Sequence, residues 1–157
     1  MQQRIHSISR NAIVCGADSK QWDVTPRMFL PGGILSIFTG KGRSLIDENE
    51  IYKNELGNWM AVKMKHNGKT IALINLYRIP ATSSNGVTCS LTQYNLQEGK
   101  SRSTKHYRTD ILKQIKTYIM NNNEITDILI AGDFNQNIGS DEIQRFYREI
   151  GVKDAHS

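Results

Sequence analysis

Apolar and polar positions alternate most cleanly where Met60, Val62 and Met64 interleave with Ala61, Lys63 and Lys65. A period of two predicts a strand with one wet face. Asn67-Gly68 follows at once, and that dipeptide tolerates the positive φ angles of a tight hairpin turn. Thr70 to Ile79 is therefore expected to return antiparallel as a more buried strand, ended by Pro80. Upstream, Gly32-Gly33 leads into Ile34-Leu35-Ser36-Ile37-Phe38, closed by Gly40 and Gly42, which predicts a buried strand between turns. From Met1 to Pro31 no long period survives the interruptions at Trp22, Pro26 and Pro31, so this stretch reads as loop with a short strand at Asn11 to Cys15.

The second half changes period. Ala81 to Gly99 is rich in Ser, Thr, Asn and Gln, predicting a long surface excursion of a length that is often functional. From Lys105 to Met120, Tyr107, Ile111, Leu112, Ile115, Tyr118 and Ile119 fall at helical spacing, with Arg108, Lys113 and Lys116 largely off that stripe. Asn121-Asn122-Asn123 stops this helix. Ile128-Leu129-Ile130-Ala131 is a continuous apolar run of strand length, read as the central strand of a buried sheet. A final helix is expected with Ser140 as its cap, Asp141 and Glu142 in its first turn, Ile143, Phe146, Tyr147 and Ile150 inward, and Gly151 at its end.

At 157 residues the chain has the size of one domain, and 38% apolar against 22% charged residues fits a packed core better than disorder. Its formal net charge of +5 favours polyanionic partners without establishing one. No stretch has the eighteen or so apolar residues of a membrane span, and Met1 to Arg10 lacks the apolar core of a signal peptide. The expectation is an intracellular protein that contacts no membrane. Cys15 and Cys89 have no second Cys or His at metal-ligand spacing, so both read as buried free thiols.

Candidate chemistry sits where the last apolar run enters Gly132-Asp133-Phe134-Asn135. A carboxylate and a carboxamide two residues apart can face the same side at a strand's exposed end. Phosphodiester hydrolysis needs a group to orient water, a hard cation on the phosphate oxygens and donors for developing negative charge. Asp133 suits the water or the metal, and Asn135 suits the phosphate. Taken alone, Gly-Asp-X-Asn is equally ordinary turn chemistry after a strand.

Ile128 to Asn135 resembles the signature of the endonuclease/exonuclease/phosphatase superfamily, the DNase I-like fold of pancreatic deoxyribonuclease and apurinic endonucleases. Ile74-Asn75-Leu76-Tyr77-Arg78-Ile79-Pro80 resembles the superfamily segment in which a strand ends at a phosphate-contacting Tyr or His shortly before a Pro. That role carries onto Tyr77, with Arg78, on the opposite face, the lesser candidate for phosphate contact. Pro31-Gly32-Gly33, Glu55-Leu56-Gly57-Asn58-Trp59 and Gly151-Val152-Lys153-Asp154-Ala155-His156 resemble retroelement-encoded members.

The resemblance implies an α+β chain, part of a DNase I-like four-layer α/β sandwich with mainly antiparallel sheets. It implies a single domain over 1–157 without counterparts of the family's first strands or C-terminal strands. Nothing in Met1 to Arg27 matches the family's Asn followed by a metal-binding Glu, so the metal ligands are not identified. Gln97-Glu98 stands in the wrong place for that Glu, Asp154 and His156 match a segment before the family's catalytic strands, and His6, His66 and His106 read as surface residues.

The implied activity is magnesium- or manganese-dependent nicking of DNA, with Asp133, Asn135 and Tyr77 catalytic, Asn135, Tyr77 and Arg78 on the substrate, and a reverse transcriptase domain alongside. The rival readings are a catalytically inactive, at most nucleic-acid-binding remnant and a phosphatase of the same superfamily. The basic stretch Lys100, Arg102, Lys105, Arg108, Lys113 and Lys116 suits either a nucleic-acid backbone or a solvated helix face.

Overall fold

The structure, a computed structural model, describes residues 12–17, 33–82 and 85–153, with residues 85–89 described by backbone alone. The expectations placed on His6, Trp22, Pro26, Pro31, Asp154 and His156, and on the Cys89 thiol, lie outside the described residues. The chain divides into two compact units, one holding 12–17, 33–76 and 125–131, the other 77–124 and 132–153.

The first unit is built on sheets. Strand β1 (Ile13–Ala17) pairs antiparallel with β2 (Ile34–Phe38), and a four-stranded sheet has the order β3 (Ile46–Lys53), β4 (Trp59–His66), β5 (Lys69–Tyr77), β6 (Asp127–Asp133). The β4–β5 hairpin turns through Asn67 and Gly68, with φ of 49° and 74°, as the dipeptide predicts. β5 and β6 run parallel: Thr126 N–H donates to Thr70 O at one end, and Arg78 N–H donates to Asp133 O at the other.

Alternate residues of β1, Ile13, Cys15 and Ala17, pack onto Met60 and Val62 of β4, with Ile34, Phe38, Ile46 and Ile51 at the margin of this core. Burial pushes the Cys15 thiol up in pKa, the nearby Lys53 charge only partly opposing it, so Cys15 is an inert buried free thiol. Asn54 closes the β3–β4 turn, its Oδ1 accepting from Leu56 N and Asn58 N at 3.0 and 3.2 Å.

Several expectations are corrected here. The β1 strand lies two residues later than Asn11 to Cys15. β2 is not a buried strand, since Leu35 and Ile37 face outward at the open side of a two-stranded sheet. β4 is dry on both faces over Trp59–Val62 and opens on both faces beyond it, with Lys65 and His66 exposed. β3 and a preceding 3₁₀ helix (Gly40–Leu45) had no sequence signal: Ile46–Lys53 is acid-rich and lacks a period of two. Among the described strands β6 is an edge rather than the centre, and Leu129 is 54% exposed. A run of aliphatic residues reports a hydrophobic strand but not what lies beyond it, so centre and edge read alike.

The second unit is helical. Helix α1 (Asn85–Glu98) occupies most of the stretch expected to be an irregular excursion. Its described buried face carries Ser90, Gln93 and Tyr94, helical spacing with mostly polar letters, which hides it from a hydrophobicity pattern. Tyr94 stacks on Tyr107 of α2 (Thr104–Met120) with centroids 4.4 Å apart, and donates to Asp110 Oδ2 at 3.3 Å. Helix α2 buries Tyr107, Ile111, Leu112 and Ile115 as expected, but also Arg108.

Helix α3 (Asp141–Ile150) buries Ile143, Phe146 and Ile150. It ends at left-handed Gly151, where Gly151 N–H donates to Arg148 O and Val152 N–H to Tyr147 O, the paired bonds of a Schellman end. Ser140 occupies the cap position, yet its hydroxyl accepts from Gln136 Nε2 at 2.8 Å rather than from a helix N–H.

Candidate active site

β5 ends at Tyr77 and β6 at Asp133, and the bond from Arg78 N–H to Asp133 O, 2.8 Å, closes the pair of strand ends. Tyr77, Arg78, Asp133 and Asn135 all belong to the second unit, so the four sequence candidates fall in one place. Gly132 enters the turn at φ 142°, which side-chain-bearing residues rarely adopt, and Asn135 leaves it left-handed at φ 47°. Asp133 is exposed, with Oδ1 accepting from Asn135 N–H at 2.8 Å. The Asn135 carboxamide donates one N–H to Arg78 O at 2.7 Å. Its chemistry leaves a second N–H and the amide oxygen for other partners. Phe134, between them, is buried and meets Tyr147 edge-on at 6.2 Å. Tyr77 is half-buried.

The side chain of Arg78, expected to face the substrate, lies inside this unit. The residue is fully buried, and its guanidinium donates to Arg108 O (3.0 Å), Gln136 Oε1 and Glu142 Oε2 (2.7 Å). Arg108 is likewise removed from the basic surface. It donates to Ile79 O, to Asn135 O at 3.2 Å and to Gln136 Oε1 at 3.0 Å. Lys116 pairs with Glu149 at 2.9 Å, so the six basic residues do not form one free cationic face; Lys100, Lys105 and Lys113 remain exposed.

Sequence reasoning missed Arg108, Gln136, Thr109 and Glu142. One signal was present: Arg108 precedes Leu112, Ile115 and Ile119 at steps of four, three and four, placing it on the apolar stripe. Glu142, expected as a first-turn acid facing the helix dipole, instead accepts from Arg78 and, at 2.9 Å, from Thr109 Oγ1. Burial opposes its ionisation, but hydrogen bonds from Arg78 and Thr109 and the Arg78 charge outweigh burial and hold its carboxyl below the usual glutamate range. Burial, then the neighbouring Arg78 charge, lowers the Arg108 pKa, while Glu142 opposes that shift.

Among the described residues no three of His, Cys, Asp and Glu group together as metal ligands. At the strand ends the exposed oxygen donor is the Asp133 carboxylate, and a single carboxylate suits magnesium, which keeps several of its waters.

No family model matches this chain, and no curated protein matches it. Among the solved structures similar to it are two of beta toxin from Staphylococcus aureus. One, a mutant with bound magnesium ions, is 17% identical with a TM-score of 0.54 over 98% of this chain and 52% of its own. The other is 18% identical with a TM-score of 0.50 over 83% of this chain and 43% of its own. The chain thus spans about half the length of these structures, and it has their DNase I-like fold, α+β with antiparallel-rich sheets.

Proposed function

We propose that this chain carries the phosphodiester-hydrolysing site of a magnesium- or manganese-dependent endonuclease that nicks DNA, in a retroelement protein beside a reverse transcriptase domain. The observation that carries the proposal is the pairing of an exposed Asp133 carboxylate with an Asn135 carboxamide, each fixed by its own hydrogen bond at the ends of adjacent strands. The DNase I-like fold supports it, as does the bound magnesium of the beta toxin structure.

In this reading Asp133 orients a water and takes its proton as the water oxygen bonds to phosphorus. The opposite P–O bond breaks and its oxygen leaves with a proton from solvent. Asn135 and the Tyr77 phenol donate to the non-bridging oxygens. Asp133 is also the residue that would hold the cation, which would supply neutralisation of the phosphate charge. Lys100, Lys105 and Lys113 offer charge to a DNA backbone.

The test is plasmid nicking by the purified chain with magnesium, beside Asp133→Ala and a chelator. The expected result is nicking in the first case alone, with Asp133→Ala reducing the rate about 10²- to 10⁴-fold. Hydrolysis of a simple phosphomonoester in place of nicking would move the site to a phosphatase. A folded chain that does neither would be an inactive remnant, and the proposal would fall.

A further inference from the structure

Two arginines inside one small unit need a reason, because burying a cation is costly and, among the described residues, Glu142 on Arg78 is the carboxylate that meets the pair. Their partners show a pattern. Arg78 reaches three elements, taking Arg108 O on α2, Glu142 on α3 and Gln136 in the turn after β6. Arg108 takes three main-chain or turn acceptors: Ile79 O just past β5, Asn135 O and Gln136 Oε1. Gln136 is shared by both guanidinium groups and is itself held by donation to Ser140.

Two of the three acceptors of Arg108, Asn135 O and Gln136 Oε1, belong to the turn that carries Asp133 and Asn135, and the third, Ile79 O, follows the end of β5. The main chain of Arg78 completes the ring, its N–H on Asp133 O and its carbonyl accepting from the Asn135 side chain. Left-handed backbone is uncommon outside glycine and easiest for Asn, so Asn135 takes φ 47° by its own chemistry and is fixed there by the bonds to its carbonyl and carboxamide.

We infer that Arg78 and Arg108 are positioning residues: joined by the Arg78 bond to Arg108 O and by the shared Gln136, with Glu142 anchoring Arg78, they hold Asn135 in its left-handed conformation and so fix the Asp133 carboxylate and Asn135 carboxamide donor as a pair. The planar guanidinium matters because a single Arg108 spans Ile79 O, Asn135 O and Gln136 at once, which one ammonium on a flexible stem does not do. The catalytic purpose rests on the hydrolase reading above; the structural clasp does not.

Arg108→Lys keeps the charge and removes the span. In this variant the Asn135 Cα and Cβ chemical shifts should leave the left-handed range, and magnesium-dependent kcat should fall about 10- to 100-fold with KM nearly unchanged. If Arg108→Lys does not fold, the paired replacement Arg78→Met with Glu142→Met removes a buried charge pair together, a change that folded chains often tolerate. It should move the Asn135 shifts in the same way. In the unmodified chain, the Arg78 Nε–H should exchange with solvent far more slowly than an exposed guanidinium. Unchanged Asn135 shifts and kcat in a folded variant, or rapid Arg78 exchange, would overturn the inference. An inactive chain whose Asn135 shifts still move would remove the hydrolase reading and keep the clasp.

Discussion

Asn135 does two separable things: its backbone takes a left-handed conformation, and its side chain bonds Arg78 O at 2.7 Å. Substitution divides them. Asn135→Ala removes the carboxamide and keeps a Cβ that left-handed backbone disfavours, whereas Asn135→Gly removes the carboxamide and relaxes the backbone. Urea titration should therefore rank Asn135→Gly above Asn135→Ala by about 1 kcal/mol. Nicking should fall in both. Equal stability would mean that the left-handed turn is not what makes the position demanding, and retained nicking would remove the side chain from the chemistry. At this scale the placement of Asp133 and Asn135 at a strand end was legible because their spacing and the preceding strand belong to adjacent letters. The burial of Arg78 was not legible, because an arginine beside a strand end carries no mark of the partners that α2, α3 and the turn supply from 30 to 64 residues away.

Elements were legible in proportion to how far their burial was written in apolar letters. Helix α2 and the β4–β5 hairpin were, since Ile111, Leu112 and Ile115 or Met60 and Val62 mark their inner faces directly. Helix α1 was not: Ser90 and Gln93 are buried and polar, so its inner face resembles a loop. Strand β3 was hidden because Asp47 and Glu48 are exposed and Glu50 is half-buried, Glu50 pairing with Lys65 of β4 at 3.0 Å. The hairpin turn gives a clean test of local chemistry. Gly68 has φ 74° and nothing within 4 Å of where a Cβ would stand, so Gly68→Ala meets no clash and strains only the backbone. The expected loss is about 1–2 kcal/mol in urea unfolding, with nicking at the distant strand ends unchanged. A neutral outcome would show that the turn does not depend on positive φ at this glycine.

At the scale of the whole molecule, the strand that delivers Asp133 is also the edge of the sheet among the described strands. β6 pairs with β5 on one side, no described strand pairs with its other side, and Leu129 in the middle of β6 is 54% exposed. Natural sheets blunt such edges with charge, proline or a bulge, and Ile128 to Ala131 offers none of these. The acidic residues Asp127 and Asp133 stand only at its two ends. The central part of β6 thus carries no device against pairing with another strand, while the net charge of +5 opposes the approach of copies at low salt. Raising salt screens that repulsion and leaves the apolar edge contact intact, so self-association of the chain should grow with ionic strength. Leu129→Lys places a charge at the middle of the edge without altering a buried position. In sedimentation velocity at high salt it should return the chain to monomer while its thermal midpoint changes little. Association that persists in Leu129→Lys would place the sticky surface elsewhere, with the outward Leu35 and Ile37 of β2 as the next residues to change.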